Sequence, residues 1–194
     1  MELDAVGCAG FLLAAFTLAG VAQTAWLRSR WSRRLARPLD GGRSWRGRRL
    51  LGDHKTWTGF VVMVPATGLA FAGLAACMPA WREAAAGKLW PLTIFEYLGL
   101  GGWAGAGFML GELPNSFLKR RAGIASGESP RHPGWRALAF LTDQTDSVIG
   151  ALAALACLVR VPWLTCGLLV LLGPLVHWLF NVLLWLLGVK KRAA

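Results

Sequence analysis

Polar and apolar positions separate into long blocks along this chain. Five apolar runs, at about 5–27, 59–79, 93–111, 137–159 and 165–189, alternate with polar segments. A helix of about 20 residues rising 1.5 Å per residue crosses a ~30 Å hydrocarbon layer. The pattern predicts an all-α polytopic membrane protein with five transmembrane helices, making a single integral membrane domain over residues 1–194. Two polar segments, 28–58 and 112–136, are long enough to carry function. In the first, "RPLDGGRSWRGRRLLGDHKTWTGF" (Arg37 to Phe60) has the glycine pairs and mixed polar residues of an ordered loop rather than a helix. The second, "GELPNSFLKRRAGIASGESPRHPGW" (Gly111 to Trp135), leaves the third run at Gly111. It carries a short helix-capable piece around "SFLKRR" and closes in a Gly/Ser/Pro loop. Within the third run Gly101 and Gly105 are four apart, as are Gly107 and Gly111, a spacing that lets helix backbones approach closely.

Composition narrows the class. Hydrophobic residues make up 55% of the chain and the formal charge is +11. A nucleic-acid binder this basic would not carry such apolar runs, so nucleic acid is excluded as a partner. The positive charge is placed unevenly: 18 of the 21 Lys and Arg residues lie in 28–58, in 112–136 and in the tail "KKRAA". By the positive-inside rule those segments face the cytoplasm and the N-terminus lies outside, with the protein in the cell's inner (cytoplasmic) membrane. The start "MELDAVG" is acidic where a signal peptide is basic, and the Arg cluster follows the apolar run instead of preceding it. Cys8, Cys77, Cys157 and Cys166 are scattered without metal-site spacing and read as small apolar fillers. Trp26, Trp81, Trp90, Trp135 and Trp163 stand near run ends, as interfacial anchors do.

Two acids break the fourth run, in "FLTDQTDSVIG" (Phe140 to Gly150). A helix starting after Asp146 would be too short to span, so Asp143 and Asp146 belong inside the run, in its cytoplasmic half. Each costs about 2.5–3.5 kcal/mol if it faces lipid at the centre of a span. Being three apart, they share one helix face and repel unless a cation intervenes. Spacing alone leaves three interpretations open: a site for a hard divalent cation such as Mg²⁺, a salt bridge to a loop arginine, or a proton or ion pathway.

The polar loops add phosphate chemistry. Glu112 offers a further carboxylate, Asn115 and Ser116 offer hydrogen bonds, and Lys119, Arg120 and Arg121 are consecutive cations suited to phosphate oxygens. The first loop repeats the theme with Asp53, His54, Lys55 and Thr56 between Gly52 and Gly59, and with Arg46, Arg48 and Arg49 upstream. The spacing is not that of a Walker A loop. A small transporter using the two aspartates as an ion path is the alternative. Outside the fourth run, however, the spans hold no charged residues beyond Glu96 and His177, and His177 and Asn181 are four apart and suited to an interhelical hydrogen bond.

In order, "RPLDGGRSWRGRRLLGDHKTWTGF", "GELPNSFLKRRAGI" and "DQTDSVIGAL" resemble the motifs of the CDP-archaeol synthase family over roughly residues 37–152. These are membrane-embedded CTP:lipid-phosphate cytidylyltransferases related to phosphatidate cytidylyltransferases. The resemblance implies Mg²⁺-dependent conversion of CTP and a lipid phosphate to a CDP-lipid and pyrophosphate, in phospholipid biosynthesis. In the archaeal enzymes the lipid is 2,3-bis-geranylgeranylglycerol 1-phosphate. The match places Asp143 and Asp146 on the family's DQxD pair, Lys119, Arg120 and Arg121 on its KRR run, Ser116 on its serine, and Asp53, Lys55 and Thr56 on its GDxKT stretch.

Two positions depart from the archaeal pattern, Glu112 where Asp is usual and Thr58 where Arg is usual, and they suggest a bacterial branch. The expected machinery follows. Asp143, Asp146 and Glu112 hold Mg²⁺, and Asp143, Asp146, Lys119 and Arg120 are catalytic. Arg121, Ser116, Asn115, Asp53, Lys55, Thr56 and Arg46 bind the nucleotide. The expected partners are CTP, a lipid phosphate and membrane lipids, with a homo-oligomer compatible and the active site facing the cytoplasm.

Overall fold

The computed structural model describes residues 3–77, 89–126, 128, 130 and 132–188. Trp81, most of the 80–92 loop and the basic tail lie outside the described residues. Five long helices match the five apolar runs: α1 (Ala5–Arg28), α3 (Trp57–Cys77), α4 (Ile94–Arg121), α5 (Pro133–Ala156) and α6 (Trp163–Leu186). A short helix α2 (Arg30–Leu35) follows α1, and strands β1 (Ser44–Trp45) and β2 (Arg48–Arg49) pair as an antiparallel hairpin. Three of the helices, α1, α3 and α6, are long and apolar enough to cross a membrane. The other two, α4 and α5, are diluted by glycine and by the charged residues of the candidate site.

The largest difference from the sequence expectation concerns α4. The third run was expected to stop at Gly111, with a separate piece around "SFLKRR". Instead one 28-residue helix runs through Pro114 to Arg121. Proline removes one helical hydrogen bond and crowds the preceding turn, but here the residues on both sides of it pack against α5 and the first loop. Tertiary contact outweighs the local signal. The helix starts at a full capping box: Thr93 Oγ1 accepts from Glu96 N, while Glu96 Oε2 accepts from Thr93 N at 2.7 Å.

Helix α4 is the centre of the bundle, packed on α3 along one side and α5 along the other. The glycine spacing has a partner on each side. A Cβ at Gly101 would lie 2.6 Å from Phe71 Cγ, and one at Gly107 would lie 2.6 Å from the Gly150 carbonyl oxygen of α5. The backbones of α4 and α5 therefore touch without intervening side chains, as small residues allow in lipid. Because that oxygen belongs to a helix backbone, Gly107→Val is expected to cost about 1–3 kcal/mol of stability. Gly99→Ala, which points into open space, is expected to cost far less; thermal unfolding in detergent compares the two.

The end of the bundle remote from the site is closed by an aromatic cluster. Phe11 meets Phe71 edge-on at 5.1 Å and lies 5.4 Å from Tyr97. Trp90 is buried in this cluster, its Nε1 donating to Arg160 O at 2.8 Å, while Tyr97 Oη donates to Trp90 O. Trp90 is thus a core residue rather than the interfacial anchor expected for it, because its one polar atom finds a carbonyl inside the protein. Trp163, by contrast, is 91% exposed. Cys8 is buried, Cys166 half-buried, and Cys77 and Cys157 exposed. Asn181 Nδ2 reaches Gln144 Oε1 at 3.5 Å, so the α6 polar pair does bond across helices, through its asparagine, to α5.

Candidate active site between helices α4 and α5

The last turns of α4 carry Glu112, Asn115, Ser116 and Lys119 at helical spacing, so they line one stripe. Opposite them α5 presents Asp143, Asp146 and Ser147, also at helical spacing. The Gly107, Gly111 and Gly150 contacts just before this point bring the two stripes close enough to bond directly. Asn115 Nδ2 donates to Asp143 Oδ1 at 2.6 Å and to Asp146 Oδ2 at 2.9 Å. Lys119 Nζ pairs with both oxygens of Asp143. Ser147 Oγ donates to Glu112 Oε1 at 2.8 Å and lies 3.2 Å from Asp146 Oδ1. One amide and one hydroxyl therefore tie three carboxylates into a single network.

The first loop closes over this network. Lys55 Nζ pairs with Glu112 Oε2. Burial disfavours the Lys55 ammonium, but the adjacent Glu112 carboxylate outweighs that, raises its pKa and keeps it charged. Three contacts hold Lys55 there: Lys55 N donates to Gly52 O, Leu39 N donates to Lys55 O, and Gly52 N donates to the buried Ser116 Oγ at 3.2 Å. The site thus collects three acids and two lysines, a balance that leaves one negative charge over. The Asp143 side chain remains 44% exposed and marks the open edge.

The loop is itself organised by Asp40. Asp40, whose side chain is fully buried, accepts from Gly42 N, Leu51 N and Arg49 Nη2 at 2.8–3.0 Å. Burial opposes its ionisation, yet Arg49 and the two amides prevail and hold the carboxyl below its ordinary 3.8. Its contribution to loop stability is therefore complete above that value and is lost as pH falls through the lower folded-state value. "LDGG" carried the signal for this turn, since Asp before glycine favours a side chain that accepts from the amide two residues on. Ser147 was also missed, although it completes a helical stripe with Asp143.

Lys119, Arg120 and Arg121, read as one phosphate-binding run, point three ways. Lys119 joins the acids. Arg121 turns to the hairpin, where its guanidinium donates to Trp45 O at 2.6 Å, Arg48 O at 2.9 Å and Arg49 O at 2.6 Å, and lies over the rings of Trp45 and Phe117. Arg121 thus docks the loop onto the end of α4. Arg120 is buried elsewhere, 8% exposed.

Arg46 lies at the tip of the hairpin. It occupies the left-handed region at φ 52 in the two-residue hairpin turn with Gly47, its guanidinium over the Trp45 ring. Asp53 is mostly exposed and pairs with Arg49. Thr56 Oγ1 bonds Thr58 and receives Gly59 N at the start of α3, so both threonines serve the loop–helix junction.

Arg121→Ala is expected to free the hairpin, because three carbonyls lose their donor and two rings lose their stacking partner. Proteolysis within 37–53 should rise, with a loss of turnover of about tenfold or more through Lys55. Arg121→Lys should not restore the hairpin, since an ammonium cannot reproduce the planar fork.

The donor chemistry fits a hard divalent cation, because Asp143 and Asp146 present carboxylate oxygens on one face, already joined through one amide nitrogen. Glu112 is engaged by Lys55 and Ser147, as Asp143 is by Lys119 and Asn115, and among the described residues no three His, Cys, Asp or Glu side chains are grouped as metal ligands. A cation here would draw on the aspartate pair and fill its shell with phosphate oxygens and water.

A model of the family described as CarS-like, CDP-archaeol synthase, matches residues 35–193. The CDP-archaeol synthase of Halobacterium salinarum is 43% identical over 165 residues, covering 80% of this chain and 82% of that protein. That of Halorubrum lacusprofundi is 38% identical, covering 80% and 83%, and that of Methanospirillum hungatei 37% identical, covering 79% and 87%. These relatives are archaeal, so nothing among them supports the bacterial branch suggested by Glu112 and Thr58. No solved structure matches the chain. The chain belongs to the CarS-like CDP-archaeol synthase family.

Proposed function

We infer that this protein is a membrane cytidylyltransferase of lipid biosynthesis that joins CTP to a lipid phosphate, giving a CDP-lipid and pyrophosphate. Family membership gives the reaction class. The observation that ties it to particular residues is the α4–α5 network, in which Asp143, Asp146 and Glu112 meet Lys55 and Lys119 at an edge open through Asp143. A transporter would not need a second loop folded over that network.

In the reaction a lipid phosphate oxygen bonds to the α-phosphorus of CTP, the bond from that phosphorus to the bridging oxygen breaks, and pyrophosphate leaves with the electron pair. The nucleophile is an anion near neutral pH, so no strong general base is required. Bringing two anions together is the main barrier, and positioning and charge neutralisation lower it. Mg²⁺ held by Asp143 and Asp146 would supply positive charge at the phosphate oxygens. Asn115 orients both carboxylates, since its one nitrogen donates to each. Lys119 neutralises Asp143 in the free protein and is within reach of a phosphate that replaces that pairing. Lys55, kept charged by Glu112, adds a second cation from the loop side.

All five long helices are proposed to cross the cytoplasmic membrane, with the N-terminus outside and segments 28–58 and 112–136 in the cytoplasm. The one-sided charge supports that orientation. Leu138, Leu141 and Ile149 leave an exposed apolar face on α5 beside the acids, where lipid tails could lie while their phosphate reaches Asp143. Purified protein with labelled CTP, Mg²⁺ and a panel of lipid phosphates tests the assignment. Label should enter a CDP-lipid with stoichiometric pyrophosphate release, and no incorporation with any lipid phosphate would refute it.

A further inference from the structure

The segment joining α1 to α3 begins with positive charge that the fold does not use. Arg28, Arg30, Arg33, Arg34 and Arg37 follow one another closely, and no acidic residue occurs between Asp4 and Asp40. All five arginines are exposed, and none takes part in an ion pair among the described residues. Asp40, the next acid along the chain, is buried and held by Arg49. The later cations of the same loop differ. Arg48 donates to a carbonyl of α4, Arg49 pairs with Asp40 and Asp53, and Lys55 pairs with Glu112.

Both ends of this strap, residues 29–37, are tied to helices long and apolar enough to cross a membrane. At its start, Ser29 Oγ accepts from Ser32 N at 3.2 Å, and Ser32 Oγ donates to Leu27 O at 3.0 Å, which pins α2 to the end of α1. At its far end, the backbone N of Trp57, the first residue of α3, donates to Arg37 O at 3.0 Å. A strap fixed between the ends of two spans lies level with the membrane surface, and the exposed Trp57 ring marks the same level.

The side chains of α2 divide to match. Trp31 and Leu35 are four apart, share one side and are 49% and 50% exposed. The Arg30 and Arg34 guanidinium carbons lie 5.5 and 5.6 Å from the Trp31 ring centre. Ser32, on another side, is buried against the protein. An exposed ring and leucine bordered by guanidinium groups compose a segment that lies in the interface plane.

We propose that the 29–37 strap is a docking surface for anionic phospholipids of the leaflet it lies on, with Arg30, Arg33 and Arg34 binding headgroup phosphates and Trp31 and Leu35 entering the acyl boundary. Charge decides the occupant. A zwitterionic headgroup brings no net charge to the uncompensated arginines, whereas each basic side chain near the surface adds to the attraction for an anionic one. The strap contributes no residue to the acid network. The proposal therefore rests on insertion of α1 and α3 and not on the cytidylyl transfer.

The test is native mass spectrometry of the full-length protein released from zwitterionic detergent, titrated separately with phosphatidylglycerol and with phosphatidylcholine of the same chains. The parent should prefer phosphatidylglycerol by about tenfold or more, and the preference should shrink as ionic strength rises. A triple variant, Arg30→Gln with Arg33→Gln and Arg34→Gln, should bind phosphatidylglycerol at least about tenfold more weakly and phosphatidylcholine as the parent does. The corresponding triple Lys variant keeps the charge and should stay within about threefold of the parent. All three positions are exposed, so neither variant should disturb the fold, and thermal unfolding verifies this. Equal affinity of the parent for the two lipids, or undiminished phosphatidylglycerol binding by the Gln variant, overturns the proposal. So does a Lys variant as weak as the Gln variant, because charge would then not be what the lipid meets. Displacement of phosphatidylglycerol by soluble polyglutamate at equal charge concentration would also overturn it and give the surface to an acidic protein.

Discussion

Asp146→Asn and Asp143→Asn are each expected to reduce CDP-lipid formation by at least about a thousandfold, equivalent to about 4 kcal/mol of lost transition-state stabilisation. The change is nearly isosteric, so shape and most hydrogen bonding survive while one negative charge is removed. Asn115 can still donate to the remaining oxygen at either position. The loss would therefore report charge at the aspartate pair and not collapse of the α4–α5 contact. Steady-state turnover in detergent or vesicles, beside a thermal unfolding curve that stays near the parent's, separates the two. An activity within about tenfold of the parent would remove the pair from the mechanism.

Lys119→Ala should give a signature with two parts. Turnover falls by about a hundredfold, because a cation that can move onto a phosphate is gone. Binding of a divalent cation in the absence of nucleotide should tighten, because Asp143 loses the ammonium that neutralises both its oxygens. A merely structural lysine would weaken both properties together. Mn²⁺ binding by the parent and the variant, compared with their turnover, distinguishes the cases. Arg120→Ala should not share the tightened metal binding, since its side chain pairs with no carboxylate.

Much of this site is legible in the sequence, and what is not has identifiable physical causes. The five apolar runs locate the five long helices to within a few residues at most ends, because helix length and apolar content are set by the same requirement to span hydrocarbon. Asp143 and Asp146 announce themselves because a charge in an apolar run needs a reason. The carboxyl-terminal end of α4 is not legible because Gly111 and Pro114 look like punctuation, and only the packing of α4 against α5 and the loop shows why the helix continues. The continuous helix also gives Lys119, Arg120 and Arg121 different surroundings. On a continuous helix, three consecutive residues are turned about 100° from one another, so each leaves the helix in a different direction. Arg121 became the dock for the hairpin, Lys119 the partner of the acids and Arg120 the lining of a cavity. The hairpin around Arg46 is hidden for a different reason: an Arg–Gly turn between two strands of two residues is too short to register by periodicity.

Glu112 also has a structural role that its place in the sequence does not reveal. A carboxylate at the end of the third run was expected to join the metal ligands. In the fold it is the counter-ion of Lys55 and the acceptor of Ser147, which makes it the link between loop and bundle. Its length suits that role, since Glu reaches farther than Asp toward a loop lysine. The same residue that departs from the archaeal pattern is thus accounted for by the loop it holds.

The most direct measurement is an electron paramagnetic resonance titration of purified protein with Mn²⁺ in the presence of a non-hydrolysable CTP analogue, comparing the parent with the Asp143→Asn, Asp146→Asn double variant. Nucleotide-dependent binding of Mn²⁺ by the parent, lost in a folded double variant that also makes no CDP-lipid, is the predicted result. Unchanged Mn²⁺ binding in the double variant, with turnover retained, would contradict an aspartate-held cation between α4 and α5.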